Sequence, residues 1–187
     1  MIRAFIAVEL PDSVRQEVAS LQADFKSSGA DVKWVDPENL HLTLKFLGDI
    51  EESQTAALKE ALGAGIGGLT PLDIHLEGIG AFPKTTFPRV IWVGVNQGEK
   101  QLVELGEKAE QACVGLGFPR EERPFSAHLT IGRVRSKDRL APLIKKLQVA
   151  EFRATAPAPV TKIILFQSTL SPKGPIYTPL AEFPLER

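Results

Sequence analysis

The sequence contains almost no cysteine, because Cys113 is the only one among 187 residues. A single cysteine excludes an intramolecular disulfide and any metal site built from cysteine ligands. Cys113 lies in the apolar, helix-like run KAEQACVGLGF, so we expect a small buried side chain rather than a nucleophile. With no disulfide to form, the default expectation is a reducing, cytoplasmic location.

The sequence also lacks long apolar runs and an excess of charge of either sign. No apolar run approaches the length needed to cross a bilayer, so we expect no membrane association. The opening MIRAFIAVEL is too short and too quickly charged for a signal peptide. The net charge is −1, so any nucleic-acid substrate must be held by a small local site. Hydrophobic content of 43% is enough to bury a core.

Histidine is scarce as well, and two of the three histidines begin the same phrase. HLTLKFLG starts at His41 and HLTIGRVR starts at His128, so both read His-Leu-Thr-aliphatic. The third histidine, His75, has Glu77 where a threonine would complete the pattern. We therefore expect His75 on an exposed strand face, without a catalytic role.

The repeated phrase is part of a longer repeat. Three landmarks recur at offsets of 86, 87 and 89 residues: Arg3 and Arg89, His41 and His128, Pro83 and Pro172. A nearly constant offset over most of the chain indicates two copies of a strand–helix–strand–helix–strand unit. We expect a single domain over residues 1–187 of the α+β class. It would have two pseudo-symmetric lobes, each an antiparallel sheet with helices on its outer face, around a central cleft.

The two phrases, at residues 41–44 and 128–131, present the same pair of side chains. Residues i and i+2 of a strand point to the same face, about 6.5–7 Å apart. His41 therefore shares a face with Thr43, and His128 shares a face with Thr130, while the aliphatic residues anchor each strand to its lobe. If the lobes meet across the pseudo-dyad, the two pairs face each other over one cleft.

Two imidazoles and two hydroxyls suit displacement at a phosphoryl group. The attacking and leaving oxygens lie roughly in line on opposite sides of phosphorus, so a base and an acid are needed on opposite sides. Histidine titrates near pH ~6.5, so one imidazole can be the base while the other holds its proton. The threonine hydroxyls can donate to the non-bridging oxygens, and no metal is required. The pseudo-symmetry leaves open which histidine is the acid.

Other site chemistries have less support in the sequence. His-x-Thr is not a usual zinc pattern, and Ser–His–Asp catalysis would need one histidine rather than two equivalent ones. Gly63, Gly65 and Gly68 match G-x-G-x-x-G, but they follow a helix and precede a strand, which is the reverse of the dinucleotide-binding order. We expect the end of a helix there. No P-loop is present, and the sequence predicts no cofactor and no metal.

These motifs and their flanks resemble the 2H phosphoesterase superfamily. RAFIAVELP, LHLTLKFLG, PRVIWVGV and HLTIGRV are together similar to its LigT-like branch, the RNA 2′,3′-cyclic phosphodiesterases, first named 2′-5′ RNA ligases. The likeness extends from Arg3 to the closing YTPLAEFPL. It implies an enzyme that opens a nucleoside 2′,3′-cyclic phosphate at an RNA end, or in a cyclic nucleotide, and leaves a 2′-phosphate.

The resemblance also implies roles for the four motif residues. His41 would be the general acid that protonates the departing 3′ oxygen, and His128 would be the general base that activates water. Thr43 and Thr130 would bind the phosphate oxygens.

Two basic residues near the motifs have alternative interpretations. Strict alternation places Arg133 on the face opposite His128, yet Gly132 permits a kink, so Arg133 either binds phosphate or forms a surface ion pair. Lys45 lies two residues beyond Thr43, where it would contact RNA phosphates or end the strand in solvent.

The aromatic residues of the apolar strands, Phe46, Phe82, Phe87 and Trp92, could stack a base. Aromatic side chains in such strands usually belong to the core, and we expect that here.

Two further functions remain open on the sequence alone. One is 2′-5′ RNA ligation, in which a 5′-hydroxyl replaces water and the reaction is reversed. The other is a non-catalytic module that binds RNA ends or nucleotides. No protein partner is implied, and we expect a monomer because one chain carries both motifs.

Overall fold

The computed structural model describes residues 1–186, which form ten strands and four helices. The strands are β1 Ile2–Glu9, β2 Val32–Trp34, β3 His41–Ile50, β4 Leu72–Ile74, β5 Leu76–Lys84, β6 Phe87–Val95, β7 His128–Val134, β8 Ala158–Val160, β9 Lys162–Ser171 and β10 Gly174–Pro184. The helices are α1 Asp12–Lys26, α2 Gln54–Ile66, α3 Glu99–Val114 and α4 Leu140–Val149.

Most of the strands form two antiparallel sheets of four. The first sheet has the order β10-β9-β1-β3, and the second has the order β2-β7-β6-β5. The short strands β4 and β8 pair with each other. The predicted α+β class with two lobes is confirmed, each lobe being one four-stranded sheet and the helices packed on it.

The lobes do not coincide with the two halves of the chain. Strand β9 comes from the second half but lies beside β1 in the first sheet. Strands β2 and β5 come from the first half but lie beside β7 and β6 in the second sheet. Neither half can therefore complete a sheet alone. The internal duplication of the sequence stays a prediction.

The helices, like the strands, are exchanged between the two halves of the chain. Helix α3 packs against β3 and α2, and α2 packs against β10, so both belong to the first sheet. Helix α1 contacts α4 and serves the second sheet, because the Gln22 side-chain amide donates to the Ile131 carbonyl oxygen at 2.9 Å. The helix-facing residues of both sheets belong to one continuous hydrophobic core.

The run LDIHLEGIGAF, which the sequence predicts as one strand, is divided between two sheets. It splits at His75 into β4 and β5. The backbone of His75 accepts from the Asn96 N–H and donates to the Gln97 carbonyl, and the residue is only 8% exposed. The expected exposed face is therefore wrong, because the chain turns between the sheets at this residue and is covered there.

The C-terminal strand β10 has no clear sequence signature. Pro175, Pro179 and Pro184 interrupt the run, and proline cannot donate to a strand ladder. The fold tolerates them because β10 is the outermost strand of its sheet, where one edge needs no donors.

Other expectations about single elements are confirmed. Cys113 is fully buried in α3, and burial raises the pKa of its thiol to about 11. Helix α2 ends at Ile66, so the glycine-rich run is a helix end, and Gly68 adopts a positive φ of 84°. Among residues 1–186, no helix has the length and apolar character needed to span a membrane.

Candidate active site

Both repeated phrases lie at the start of a strand and alternate as expected. His41 and Thr43 are partly exposed at the start of β3, and His128 and Thr130 are partly exposed at the start of β7. The aliphatic residues between them are buried in the common core. Each strand therefore presents an imidazole and a hydroxyl on the face that turns away from the core.

A β-bulge follows each phrase at the same position. In the first sheet Ala7 pairs with Thr43 and Ile6 pairs with Lys45, so one residue of β3 has no partner. In the second sheet Trp92 pairs with Thr130 and Ile91 pairs with Gly132, so one residue of β7 has no partner. A bulge places two residues opposite one, so the alternation beyond each threonine shifts by one residue.

The shift reverses the expected directions of Lys45 and Phe46. Leu44 and Lys45 are both buried, so Lys45 points into the core side of the sheet. Phe46 then occupies the face of His41 and Thr43, where it is 59% exposed. Lys45 neither faces the motif nor ends in solvent, so both interpretations of this residue are wrong.

Lys45 forms a buried ion pair instead. Its Nζ lies 2.6 Å from Glu110 Oε2 on α3 and donates to the Pro119 carbonyl oxygen at 3.0 Å. Burial raises the pKa of the Glu110 carboxyl, but hydrogen bonds from Lys45 and from the Glu121 N–H outweigh it, and the net pKa is lowered. Lys45 therefore connects β3 to the segment that precedes the second motif.

The same shift turns Arg133 toward the motif face. Ile131 and Gly132 are both buried, and Arg133, which follows them, is exposed. Burial raises the pKa of the Tyr177 hydroxyl, while the nearby charge of Arg133 lowers it. Arg133 therefore lies within electrostatic range of Tyr177. Among residues 1–186, no carboxylate lies within 4.0 Å of the Arg133 guanidinium, and its role as a phosphate ligand stays a prediction.

His41 is enclosed by aromatic rings. Its imidazole stacks on Phe5 with ring centroids 4.9 Å apart, and Tyr177 contacts it edge-on at 5.1 Å. The Nδ1 atom lies 2.6 Å from the Asn39 carbonyl oxygen. Burial lowers the pKa of His41, and the hydrogen bond to Asn39 partly opposes that effect.

His128 has a related but more open environment. Phe82 contacts its ring edge-on at 5.1 Å, and its Nδ1 lies 2.7 Å from the Ser126 carbonyl oxygen. A carbonyl oxygen only accepts, so Nδ1 carries the hydrogen in both histidines. The Nε2 atom of each ring is thereby left to exchange a proton with a substrate.

The two phrases belong to strands that contact each other. Strands β3 and β7 approach where the two sheets meet. Tyr177 provides a second connection, because it touches His41 and senses the charge of Arg133 at the far end of β7. Tyr177 is the only tyrosine of the chain, but it lies outside both repeated phrases and no sequence pattern marks it as a site residue.

The residues that orient the histidines are also outside the two motifs. Asn39 and Ser126 each stand two positions before a motif histidine, at the same offset of 87 residues. The shared offset is the one signal in the sequence that marks these two positions. The contacts use backbone carbonyls, so residue type alone carries little signal.

The aromatic residues do not all belong to the core, contrary to expectation. Phe46, Phe82 and Phe87 are 59%, 39% and 41% exposed, while Trp92 is partly buried. Within residues 1–186, no three His, Cys, Asp or Glu side chains are grouped closely enough to hold a metal ion.

Comparison with known proteins identifies the family. A family model described as LigT like phosphoesterase matches residues 8–92 and again residues 93–177. The chain belongs to the LigT-like phosphoesterase family. The membership predicted from the paired motifs is confirmed, and so is the expectation that the chain is an enzyme.

Relatives of this phosphoesterase match it over nearly the full length. A protein of Methanothermobacter thermautotrophicus named RNA 2′,3′-cyclic phosphodiesterase is 40% identical, with 98% of this chain and 99% of the relative covered. A crystal structure of a Thermus thermophilus protein superposes with a TM-score of 0.82 at 30% identity, covering 98% of both chains. Escherichia coli LigT complexed with 3′-AMP gives 0.81 at 25% identity, covering 100% and 99%.

Proposed function

We propose that this phosphoesterase hydrolyses RNA-terminal nucleoside 2′,3′-cyclic phosphates to 2′-phosphates by two-histidine acid–base catalysis. The observation that carries the proposal is the matched construction of the two motifs. Each has a His–Thr face, an Nδ1–H bonded to a carbonyl two residues earlier, and a bulge directly after the threonine. The full-length relative that bears this activity in its name supports the choice of substrate.

In the proposed reaction, His128 and His41 act on opposite sides of phosphorus. Nε2 of His128 takes a proton from water as the water oxygen bonds to phosphorus. The bond from phosphorus to the 3′ oxygen breaks, and Nε2–H of His41 gives its proton to that oxygen. At the end of the turnover His128 carries the extra proton and His41 has lost its own, and proton exchange with solvent restores both starting states before the next turnover. Each Nδ1–H keeps its carbonyl partner throughout, so the rings do not rotate.

The phosphate oxygens are held by neighbouring donors. The hydroxyls of Thr43 and Thr130 donate to the non-bridging oxygens, and Arg133 balances charge that develops in the transition state. The bulge of β7 supports the role of Arg133, since it directs this residue to the face of His128.

The assignment of His41 as the acid rests on the family and is compatible with its surroundings. Burial lowers the pKa of His41 and so makes its imidazolium a stronger acid. A phosphate anion bound beside the ring favours the charged form and keeps the proton in place until the leaving oxygen takes it.

One experiment tests the substrate, the regiochemistry and the need for metal. The protein is incubated with an oligoribonucleotide ending in a 2′,3′-cyclic phosphate, with and without EDTA, and the product is examined by phosphorus NMR. We expect a 2′-phosphate at the same rate in both samples. A 3′-phosphate product would contradict the leaving-group assignment, and loss of activity in EDTA would contradict metal independence.

Two added measurements address the other functions that the sequence leaves open. An RNA with a free 5′-hydroxyl is included, and joined product is sought by gel electrophoresis. Binding of the cyclic end without turnover would indicate a binding module and overturn the proposed activity.

A further inference from the structure

The edge strand β10 places Tyr177 on the face of the first sheet that carries His41. The ring of Tyr177 contacts the His41 imidazole edge-on, with centroids 5.1 Å apart and planes at 87°. It meets Phe5 in a similar way at 4.9 Å, and the ring of Phe166 lies 6.3 Å away. The half-buried ring of Tyr177 is therefore fixed by packing against three neighbours.

Each motif histidine has one aromatic ring edge-on at the same distance. Tyr177 makes this contact with His41, and Phe82 makes it with His128. The centroids are 5.1 Å apart in both pairs, and the planes meet at 87° and 89°. Since a phenylalanine makes the contact with His128, holding an imidazole in this way does not require the hydroxyl of Tyr177.

The Tyr177 hydroxyl is free to bind a ligand. Among residues 1–186 it forms no hydrogen bond, and it is not one of the buried polar atoms that lack a partner, so its oxygen is open to solvent. Burial raises the pKa of the hydroxyl and outweighs the opposing charge of Arg133. The hydroxyl therefore keeps its proton at neutral pH and acts as a donor.

The position of this donor fits that of the substrate phosphate. In the proposed reaction, phosphorus is bonded to the 3′ oxygen that takes the proton of His41, and Arg133 balances the charge on the non-bridging oxygens. The Tyr177 ring touches His41, and its hydroxyl lies within electrostatic range of Arg133. Within residues 1–186, no carboxylate lies within 4.0 Å of the Arg133 guanidinium, so none competes with a phosphate there.

We propose that the Tyr177 hydroxyl donates a hydrogen bond to one non-bridging oxygen of the substrate phosphate and is a further catalytic group of the reaction. The inference rests on the proposed function. When the motif strands β3 and β7 are aligned, β10 has no counterpart among the residues 1–186 that form the second sheet, which ends at β5, so this donor is present only on the His41 side. Negative charge grows on these oxygens in the transition state, so the contact acts mainly on kcat.

Removing the hydroxyl alone tests the proposal. Tyr177→Phe keeps the ring that packs on Phe5 and His41, and circular dichroism with thermal unfolding verifies the fold. On an oligoribonucleotide that ends in a 2′,3′-cyclic phosphate, we expect kcat to fall on the order of ten- to a hundred-fold, as for the loss of a hydrogen bond to a charged group. Thr178→Val removes an exposed hydroxyl from the opposite face of the same strand and should keep the wild-type kcat.

Sulfur substitution distinguishes a contact with the phosphate from a role in the fold. Two further oligoribonucleotides end in the diastereomeric 2′,3′-cyclic phosphorothioates, in which sulfur replaces one or the other non-bridging oxygen. Sulfur accepts hydrogen bonds weakly, so the hydroxyl contributes little to turnover of the diastereomer whose sulfur faces Tyr177. We expect Tyr177→Phe to slow that diastereomer less than the other, by a factor on the order of ten. A purely structural role would slow both equally.

The outcomes separate this inference from the proposed function. A wild-type kcat in Tyr177→Phe, or an equal loss on the two phosphorothioates, overturns the inference while the proposed function stands. A loss in Thr178→Val as large as that in Tyr177→Phe also overturns the inference alone. No hydrolysis of the cyclic phosphate by the wild-type protein overturns both.

Discussion

The imidazole of His41 is subject to two opposing effects on its pKa. Nδ1 is bonded to the Asn39 carbonyl, while the stacked ring of Phe5 and the edge of Tyr177 cover much of the imidazole. The pKa is lowered because the loss of hydration outweighs the hydrogen bond. A group in this state holds its catalytic proton weakly until an anion binds.

This environment predicts a pH dependence that changes when substrate binds. If His41 is the acid, activity falls as pH rises through its pKa, because the imidazolium is lost. In the free enzyme that pKa lies below the usual value near 6.5, and a bound phosphate anion raises it. We expect the alkaline limb of kcat at higher pH than the alkaline limb of kcat/KM, measured across pH 5–9. Coincident limbs would contradict the assignment.

Lys45 and Glu110 provide a stability prediction at the residue scale. Lys45→Met leaves the largely covered Glu110 carboxylate without its counter-charge, so we expect a loss of about 3 kcal/mol in the free energy of unfolding. The double variant Lys45→Met/Glu110→Leu removes both charges and should recover most of that loss. Urea denaturation measures all three proteins, and a Lys45→Met protein as stable as the wild type would contradict the buried pair.

The motif residues were predictable from the sequence, but their immediate neighbours were not. His41, Thr43, His128 and Thr130 follow from recurrence and from the two-residue period of a strand. Lys45 was expected on the wrong face of β3, because the sequence does not show where a β-bulge occurs. The extra residue of the bulge reverses the direction of the side chains that follow it.

At the scale of single elements, the pairing of β7 with β2 requires a glycine at position 132, because β2 side chains lie close to its backbone. A Cβ atom at this glycine would lie 2.8 Å from Cε3 of Trp34 and 2.9 Å from Cγ1 of Val32. Gly132 is one of the two residues that the bulge places opposite Ile91. The glycine thus lets β2 cover β7 where the strand changes direction.

Gly132→Ala tests whether the bulge directs Arg133. The added methyl group must displace Trp34 or β7, so we expect a loss of about 1–3 kcal/mol in stability. The turnover of cyclic phosphate should also fall, because Arg133 moves with the bulge. Gly48→Ala is a suitable comparison for crowding, since a Cβ there meets nothing within 4 Å, although its positive φ of 71° adds backbone strain. Unchanged stability and activity in Gly132→Ala would contradict this role.

Strands with long alternating runs, and helices with apolar residues at helical spacing, were recognisable from the sequence. Two elements were not. The run LDIHLEGIGAF reads as one strand because nothing in its composition marks the change of sheet at His75. Strand β10 contains prolines that a sequence pattern counts against a strand, and only its edge position explains them.

At the scale of the whole molecule, the two halves of the chain are interleaved. Each sheet contains strands from both halves, and one core continues through both lobes. The repeat predicted two lobes correctly, but the exchange of strands depends on long-range pairing that local sequence does not encode.

Interleaving predicts that the protein unfolds as one unit. We expect a single transition in guanidinium chloride, with coincident midpoints for far-ultraviolet circular dichroism and tryptophan fluorescence. Both tryptophans, Trp34 and Trp92, belong to the second sheet, so fluorescence follows that lobe, whereas circular dichroism follows both. A fluorescence midpoint separated from the dichroism midpoint would show that the lobes unfold independently.

The most direct test of two histidines acting on one phosphate is a double-mutant cycle. Initial rates on an RNA 2′,3′-cyclic phosphate are measured in EDTA for wild type, His41→Ala, His128→Ala and the double variant, with folding checked by circular dichroism. We expect each single change to cost on the order of 10²- to 10⁴-fold. The double variant should be little slower than the slower single variant, because the acid and base serve the same step. Costs that multiply, or a single variant with wild-type rate, would contradict the shared site.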